Sequence, residues 1–489
     1  MVGLALLLLA DWPWSTDVRV DDASGSTSQN ETTFSPFGGG WNDARAGGWR
    51  YGFSGSTDQG ATWMTNQLHH YTPGVAYDGD PVIGTDRYGR LHQIIMNFAY
   101  DYTGHIVHRS STDMGATWSS WHMVSDGSAA GLKDKPWFTF SVSTDTLYAL
   151  YNLIDAYPEG IYVSRSTDNG VNWTRQRVSG STYASMPFVA VDQASNVYAI
   201  WLDYYEYRYY MAVSTDGGVS YSSPRPGPYC YFDFDSYRAF PTPWIMAGPA
   251  GHVYFTWLDQ RYSTTYQWDV AFSRTTDYGN TWTTPIAINT QLGYNHKCLV
   301  PSLALTPYGD LVAVWGQRLT SGNFMVAYAY SQDEGTTWQV TPSASGRVSD
   351  TDFPVSFDQG MQMGDYMTAY ADSDYVYALW ADDRTSGDYK IYFSKVLISD
   401  LIPTSTREDA AKRELGIKQT AGGFLLTLDG KTDVSVDIYD PAGRFMSEAF
   451  RGTLEAGEHA FSWPTLNQGI YLARVQVGDR GTSLKFVAQ

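Results

Sequence analysis

Carboxylates and aromatic rings stand together at several places in this sequence. That mixture suits sugar handling: rings stack on the apolar face of a pyranose, while carboxylates bond hydroxyls or act as acid and base. Three stretches, Asp80-Pro81-Val82, Asp134-Lys135-Pro136 and Asp365-Tyr366, put ionisable groups where strand-like runs begin. They differ from one another, so no structural repeat requires them. Asp80, Asp365 and Tyr366 are the candidate catalytic residues, with Lys135 beside them as a binding candidate. Residues 226–241 hold Tyr229, Tyr231, Phe232, Asp233, Phe234, Asp235, Tyr237 and Arg238. A sugar site and a loop packed on its own aromatics would both read this way. From it Asp233, Asp235 and Arg238 are taken as substrate-binding candidates, and a structural calcium ion would draw on the same two aspartates, although no EF-hand spacing surrounds them. A further signal is the recurrence of Trp41-x-Asp43-x-Arg45, Trp257-x-Asp259-x-Arg261 and Trp380-x-Asp382-Asp383-Arg384. Arg45, Arg261 and Arg384 could converge on the carboxylate of an acidic sugar, the planar fork matching its two oxygens. Equally, each Asp–Arg pair could tie one repeat unit to the next.

No metal or cofactor is expected for catalysis. His105 and His108 are three apart in a strand-like run, which turns them to opposite faces. Neither a Walker-type phosphate loop nor a Gly-x-Ser-x-Gly elbow occurs.

The elements that must position these residues are organised by one repeated turn. Ser/Thr-x-Asp-x-Gly-x-x-aromatic occurs at 56–63, 111–118, 166–173, 214–221, 275–282 and 331–338. Its Asp can accept backbone N–H groups in a tight turn, and the Gly two residues later can take a positive φ. The Asp positions 58, 113, 168, 216, 277 and 333 are spaced by 48 to 61 residues, the period of a four-stranded propeller blade or slightly more. Between turns the order is fixed. A strand opens near a proline, a Gly or Asn turn follows, and a second strand ends in an aromatic, as in Val197-Tyr198-Ala199-Ile200-Trp201. A third strand runs into the repeated turn and a fourth leaves it. Seven such units can be counted, the last lacking both the turn and a fourth strand. Asp17-Val18-Arg19-Val20 could supply that strand and join the chain's ends. The expected fold is therefore all-β, a seven-bladed propeller, with six blades as the alternative.

This turn resembles the Asp box, or BNR repeat, of sialidases and related propeller proteins, and the likeness covers roughly residues 29–397. It implies structural roles for Asp58, Asp113, Asp168, Asp216, Asp277 and Asp333. Sialidases bind the substrate carboxylate with three arginines and use a Tyr nucleophile assisted by Glu, with an Asp as acid/base. Arg45, Arg261 and Arg384 could mimic the arginines, and Tyr366 and Asp80 the nucleophile and acid. The chain departs from that pattern in lacking an Arg-Ile-Pro ahead of the first box.

With 32 basic against 51 acidic residues the net charge is −19, which argues against nucleic acid or an anionic membrane as partner. The apolar run at residues 2–10 is too short to span a bilayer and fits a signal-peptide remnant, residues 1–10; no other segment could cross a membrane. The propeller then occupies 11–397 and a polar linker 398–418. Residues 419–489 form a small β-domain. Its order of Val434 to Arg444, Gly457-Glu458-His459, Trp463, Gly469-Ile470-Tyr471 and Lys485-Phe486-Val487 resembles the C-terminal sorting domain of the type IX secretion system. An ordinary immunoglobulin-like β-sandwich would look similar. The resemblance implies the type IX machinery as a partner and delivery to the cell surface or beyond. Cys230 and Cys298 are the two cysteines, paired or free. The reading is a secreted, surface-delivered glycoside hydrolase acting on an extracellular glycan or glycoprotein, with a non-catalytic glycan- or protein-binding protein as the alternative.

Overall fold

The computed structural model describes residues 13–488 apart from 24–26, 72–76, 100, 102, 129, 142, 233–240, 264–266, 341–345, 356–362, 385–387, 402–416, 421, 429, 441–444, 467–468 and 479. The fold is all-β. Seven antiparallel sheets follow one another among the described residues up to 397. After β1 (Val18–Arg19), the first contains β2 (Gln29–Ser35), β3 (Gly38–Asp43), β4 (Arg50–Gly55) and β5 (Gln67–His69). The second has β6 (Tyr77–Thr85), β7 (Leu91–Phe98), β8 (Gly104–Ser111) and β9 (His122–Met123). The third has β10 (Leu132–Phe140), β11 (Leu147–Ile154), β12 (Gly160–Ser166) and β13 (Thr174–Arg177). The fourth has β14 (Ala184–Val191), β15 (Val197–Asp203), β16 (Arg208–Ser214) and β17 (Arg225–Tyr229). The fifth has β18 (Trp244–Ala247), β19 (Val253–Asp259), β20 (Asp269–Thr275) and β21 (Ile286–Ala287). The sixth has β22 (Cys298–Leu305), β23 (Leu311–Arg318) and β24 (Phe324–Ser331), and the seventh β25 (Thr368–Ala371), β26 (Tyr375–Asp382) and β27 (Lys390–Leu397).

The second strand of each sheet is almost wholly buried, and its apolar and aromatic residues account for that: Tyr198, Ile200 and Trp201 in β15, and Val312, Val314 and Trp315 in β23, are at most 1 % exposed. First strands touch in cyclic order, β2 with β6, β6 with β10, β10 with β14, β14 with β18, β18 with β22, β22 with β25, and β25 with β2. The chain's two ends meet in the seventh sheet. There β1 supplies the fourth strand, pairing Val18 with Phe393 and Arg19 with Tyr392. Flanking bonds run from Ser15 N to Lys395 O (2.7 Å) and from Val20 N to Ile391 O (2.9 Å).

The repeated turns follow the third strands of six sheets in one geometry. Asp113 Oδ1 accepts the Ser111 hydroxyl (2.7 Å) and Thr117 N–H (2.8 Å), Oδ2 accepts the Thr117 hydroxyl (2.6 Å), and Gly115 N donates to Ser111 Oγ (2.9 Å). Asp58, Asp168, Asp216, Asp277 and Asp333 bond likewise. Cys230 and Cys298 are buried free thiols.

Two further sheets lie beyond residue 416. One orders β28 (Ile417–Thr420), β29 (Gly423–Leu428) and β32 (Gly457–Ser462); the other orders β31 (Phe445–Leu454), β30 (Thr432–Tyr439), β33 (Gly469–Val477) and β34 (Arg480–Ala488). They share a core of Phe424, Leu426, Val436, Ile438, Val475 and Phe486, with Trp463 stacked on Phe486 at 4.2 Å. Residues 398–401 are a helical turn, so the expected linker is not wholly extended, and most of it, 402–416, lies outside the described residues, as does the expected signal-peptide remnant. No described helix is long and apolar enough to cross a membrane.

Candidate functional site

In five sheets the first strand carries a β-bulge whose extra residue has a positive φ: Glu31 (55°), Asp80 (48°), Lys135 (51°), Met186 (50°) and Val300 (41°). Proline follows four of them and has no N–H to give the ladder, which breaks the pairing at that point. Such conformations in non-glycine residues cost of order 1–3 kcal/mol each. Adjoining first strands carry these bulges side by side, so residues from several sheets meet.

Four carboxylates from the first, second, third and seventh sheets surround one ammonium. Lys135 Nζ lies 3.0 Å from Asp80 Oδ2 and 2.6 Å from Asp365 Oδ2. One nitrogen therefore holds those two oxygens within about 6 Å of each other. Glu31 hydrogen-bonds Asp80, takes Asn42 Nδ2 on Oε2 (2.7 Å) and Asp365 N on Oε1 (3.4 Å). Asp134 Oδ1 accepts Lys135 N (2.9 Å). Water reaches the group: the side chains of Lys135, Asp365 and Asp80 are 15, 13 and 9 % exposed. Beside this acidic arc stands an aromatic one. Trp137 stacks on Phe188 at 4.1 Å and meets Trp244 (4.9 Å) and Tyr366 (5.6 Å) edge-on.

The electrostatics divide these groups by role. Burial opposes charge on Lys135, but Asp365, Asp80, Asp134 and Glu31 outweigh it and hold the ammonium's pKa well above the ordinary lysine value. Burial, then the Asp80 charge, raises Glu31 well above the carboxylate range. Burial lifts Asp134 to about 6, with Lys135 pulling the other way. Tyr366 is 4 % exposed, and its hydroxyl donates to Pro81 O at 3.5 Å. Burial and then the Asp80 and Glu31 charges push its phenol far up, the opposite of what a tyrosine nucleophile needs.

Asp80, Lys135, Asp365 and Tyr366, singled out from sequence, thus stand together. The three arginines are engaged within their own repeats. Asp43 Oδ2 accepts Trp41 Nε1 (3.0 Å) and Arg45 Nη2 (2.7 Å); Asp259 does the same for Trp257 and Arg261 (2.9 and 2.8 Å), and Asp382 for Trp380 and Arg384 (2.8 and 2.7 Å). Each aspartate side chain is fully buried, so every fork is committed to its neighbour two residues back. Arg384 also bonds Asp17 Oδ2 (2.8 Å) and Asp350 Oδ1 (3.0 Å). Asp233, Asp235 and Arg238 lie outside the described residues. Glu31 and Asn42 escaped the sequence reading. Asp80, Lys135 and Val300 each stand 33 residues before a box aspartate (Asp113, Asp168, Asp333) and precede proline, whereas Glu31 precedes Thr32 and a shorter hairpin.

No curated protein matches the sequence. Among solved structures the chain is similar to BP39L lectin from Burkholderia pseudomallei (12 % identity, 76 % of this chain and 96 % of that one, TM-score 0.49). It is similar also to an α-L-arabinanase of Penicillium chrysogenum complexed with arabinobiose (14 %, 80 % and 99 %, 0.44) and to a sialidase of Trypanosoma rangeli (11 %, 96 % and 89 %, 0.43). Residues 52–237 match the family described as a BNR repeat-like domain.

Proposed function

We propose that this protein is a secreted glycoside hydrolase, a seven-bladed β-propeller with a C-terminal immunoglobulin-like sandwich that directs it through type IX export to the cell surface. The observation that carries the enzymatic reading is the water-accessible cluster of Glu31, Asp80, Asp134 and Asp365 around Lys135, set against the Trp137 wall. Asp134, titrating near 6, is the general acid that protonates the glycosidic oxygen. Asp365 is the carboxylate that attacks the anomeric carbon or activates water, and Lys135 pairs with it and with Asp80. Four carboxyl groups share one lysine, and Arg45, Arg261 and Arg384 are committed to their own aspartates, so none of these cations is left for the carboxylate of an anionic sugar. The substrate is a neutral or basic glycan, and sialosides are poor substrates.

The test is hydrolysis of a panel of neutral polysaccharides and of fluorogenic sialosides by wild type, Asp365→Asn and Lys135→Met. Turnover of a neutral glycan that falls at least a hundredfold in Asp365→Asn, with sialosides untouched, is expected. A second reading, a glycan-binding protein without catalysis, is favoured by the closed pairing of Lys135 with Asp80 and Asp365. Binding without turnover in wild type would establish it.

A further inference from the structure

Exposed tyrosines crowd the loops that join second to third and fourth to next first strands in the fourth and fifth sheets. Tyr183 precedes β14, three residues before the bulged Met186; Tyr204, Tyr205 and Tyr207 join β15 to β16; Tyr229 ends β17 and Tyr231 follows it. Tyr205, Tyr229 and Tyr231 keep 70, 49 and 54 % of their surface exposed. Each of these rings is backed on one face. Tyr183 stacks on Tyr205 (4.9 Å between centroids, 22° between planes), Arg208 lies over Tyr229 at 4.4 Å, and Arg261 lies over Tyr231 at 4.8 Å. The loops are also tied by Tyr204 N to Tyr183 O (3.2 Å), Cys230 N to Tyr207 O (2.8 Å) and Gln260 N to Tyr231 O (2.8 Å). The rings are held before anything binds, so fixing them on binding loses little entropy.

The chemistry of the patch points to its occupant. Every exposed large apolar residue described in these loops is a tyrosine; the exposed Met64, Leu68, Val171, Val219, Leu397 and Met446 lie elsewhere. A ring with an apolar face and a hydroxyl at its rim matches a pyranose, flat and C–H-lined on one face and hydroxylated at its edge. The patch begins at Tyr183 on the strand that also carries Met186 and Phe188, and Phe188 stacks on Trp137 of the aromatic wall. We propose that Tyr205, Tyr229 and Tyr231 form a stacking platform for the distal units of a neutral polysaccharide of equatorially hydroxylated pyranoses, whose proximal units reach the carboxylate cluster. The inference rests on the glycan-hydrolase reading for the second half of that statement only.

Affinity electrophoresis of the full chain in gels containing hydroxyethylcellulose, xyloglucan or laminarin tests it. At least one polymer should retard the wild type. Tyr205→Ala and Tyr231→Ala should each weaken that retardation roughly three- to tenfold, and Tyr205→Phe should keep it, since the stacking face remains. Turnover of a short aryl glycoside should be unchanged in all three variants. Retardation equal in wild type and both alanine variants would overturn the platform, as would no retardation by any polymer. Loss of retardation in the tyrosine variants without any wild-type turnover would keep the platform and sink the hydrolase. Turnover lost in Asp365→Asn with unaltered retardation in the tyrosine variants would do the reverse.

Discussion

In the proposed reaction Asp134 and Asp365 share a functional group and take opposite tasks, a division that rests on their surroundings. Burial raises Asp134 to about 6, while Asp365 has Lys135 Nζ at 2.6 Å. A general acid acts only while protonated, so kcat/KM on a polysaccharide should fall as pH rises through about 6. Asp134→Asn should lose roughly 10²–10⁴-fold on that substrate. On an aryl glycoside whose leaving group needs no proton the loss should be far smaller, and the fall above pH 6 should vanish. Equal losses on both substrates would remove Asp134 from the acid role. Part of this site was legible in sequence because Asp80 and Lys135 precede prolines that mark the bulge. Glu31 was hidden because its bulge is made without one.

At the scale of elements, the repeated turn acts on the sheet before it as well as on its own hairpin. A Cβ on Gly60 would lie 2.3 Å from the Phe393 ring in β27, at a φ of +84°. The turn therefore needs glycine for its conformation and for the space it leaves to the neighbouring sheet. Gly60→Ala should cost about 3 kcal/mol, combining a strained φ with overpacking. Gly47 shares a positive φ (+75°) but has no atom within 4 Å of its would-be Cβ, so Gly47→Ala should cost about 1 kcal/mol. Urea unfolding of both variants checks this, and equal midpoints would show that the Phe393 contact is not what the glycine serves. The turns were readable because six copies share one spelling. The rings they press against were not, since Phe393, and Phe53 against Gly115, are ordinary strand aromatics until the sheets are set side by side.

For the whole molecule, closure of the chain's ends depends on a clasp of Asp17, Asp350 and Arg384. Asp17 N donates to Asp350 Oδ2 and Asp350 N to Asp17 Oδ2, both at 3.0 Å, while Arg384 Nη1 touches both carboxylates. Burial first, then the bond with Asp350, raises the Asp17 carboxyl to about 8 from an ordinary value of 3.8. Between these values the folded clasp holds a proton that the unfolded chain has released. Its stabilisation is therefore present at low pH and lost as pH rises through that window. Amide exchange at Ser15 and Val20, corrected for intrinsic rates, should be faster at pH 9 than at pH 6. Asp17→Asn should flatten the difference; an undiminished pH effect in that variant would place the titrating group elsewhere. Deleting residues 13–20 should expose the edge of β27 and promote self-association, measurable by light scattering.

The sequence by itself determined the all-β class, the unit length, the turn chemistry and the fourth strand that Val18 and Arg19 lend to β27. All of these are local patterns of spacing, or a shortfall in a count. Only the tertiary structure decided what faces what. Glu31 and Asp365 are 334 residues apart and meet because β2 and β25 adjoin where the chain's ends come together. The same holds for the arginines. Spacing put Arg45, Arg261 and Arg384 at equivalent ends of second strands, but their buried aspartates two residues earlier take up their forks. A side chain's address follows from its repeat; its partner follows from bulge, burial and closure, which no single repeat contains.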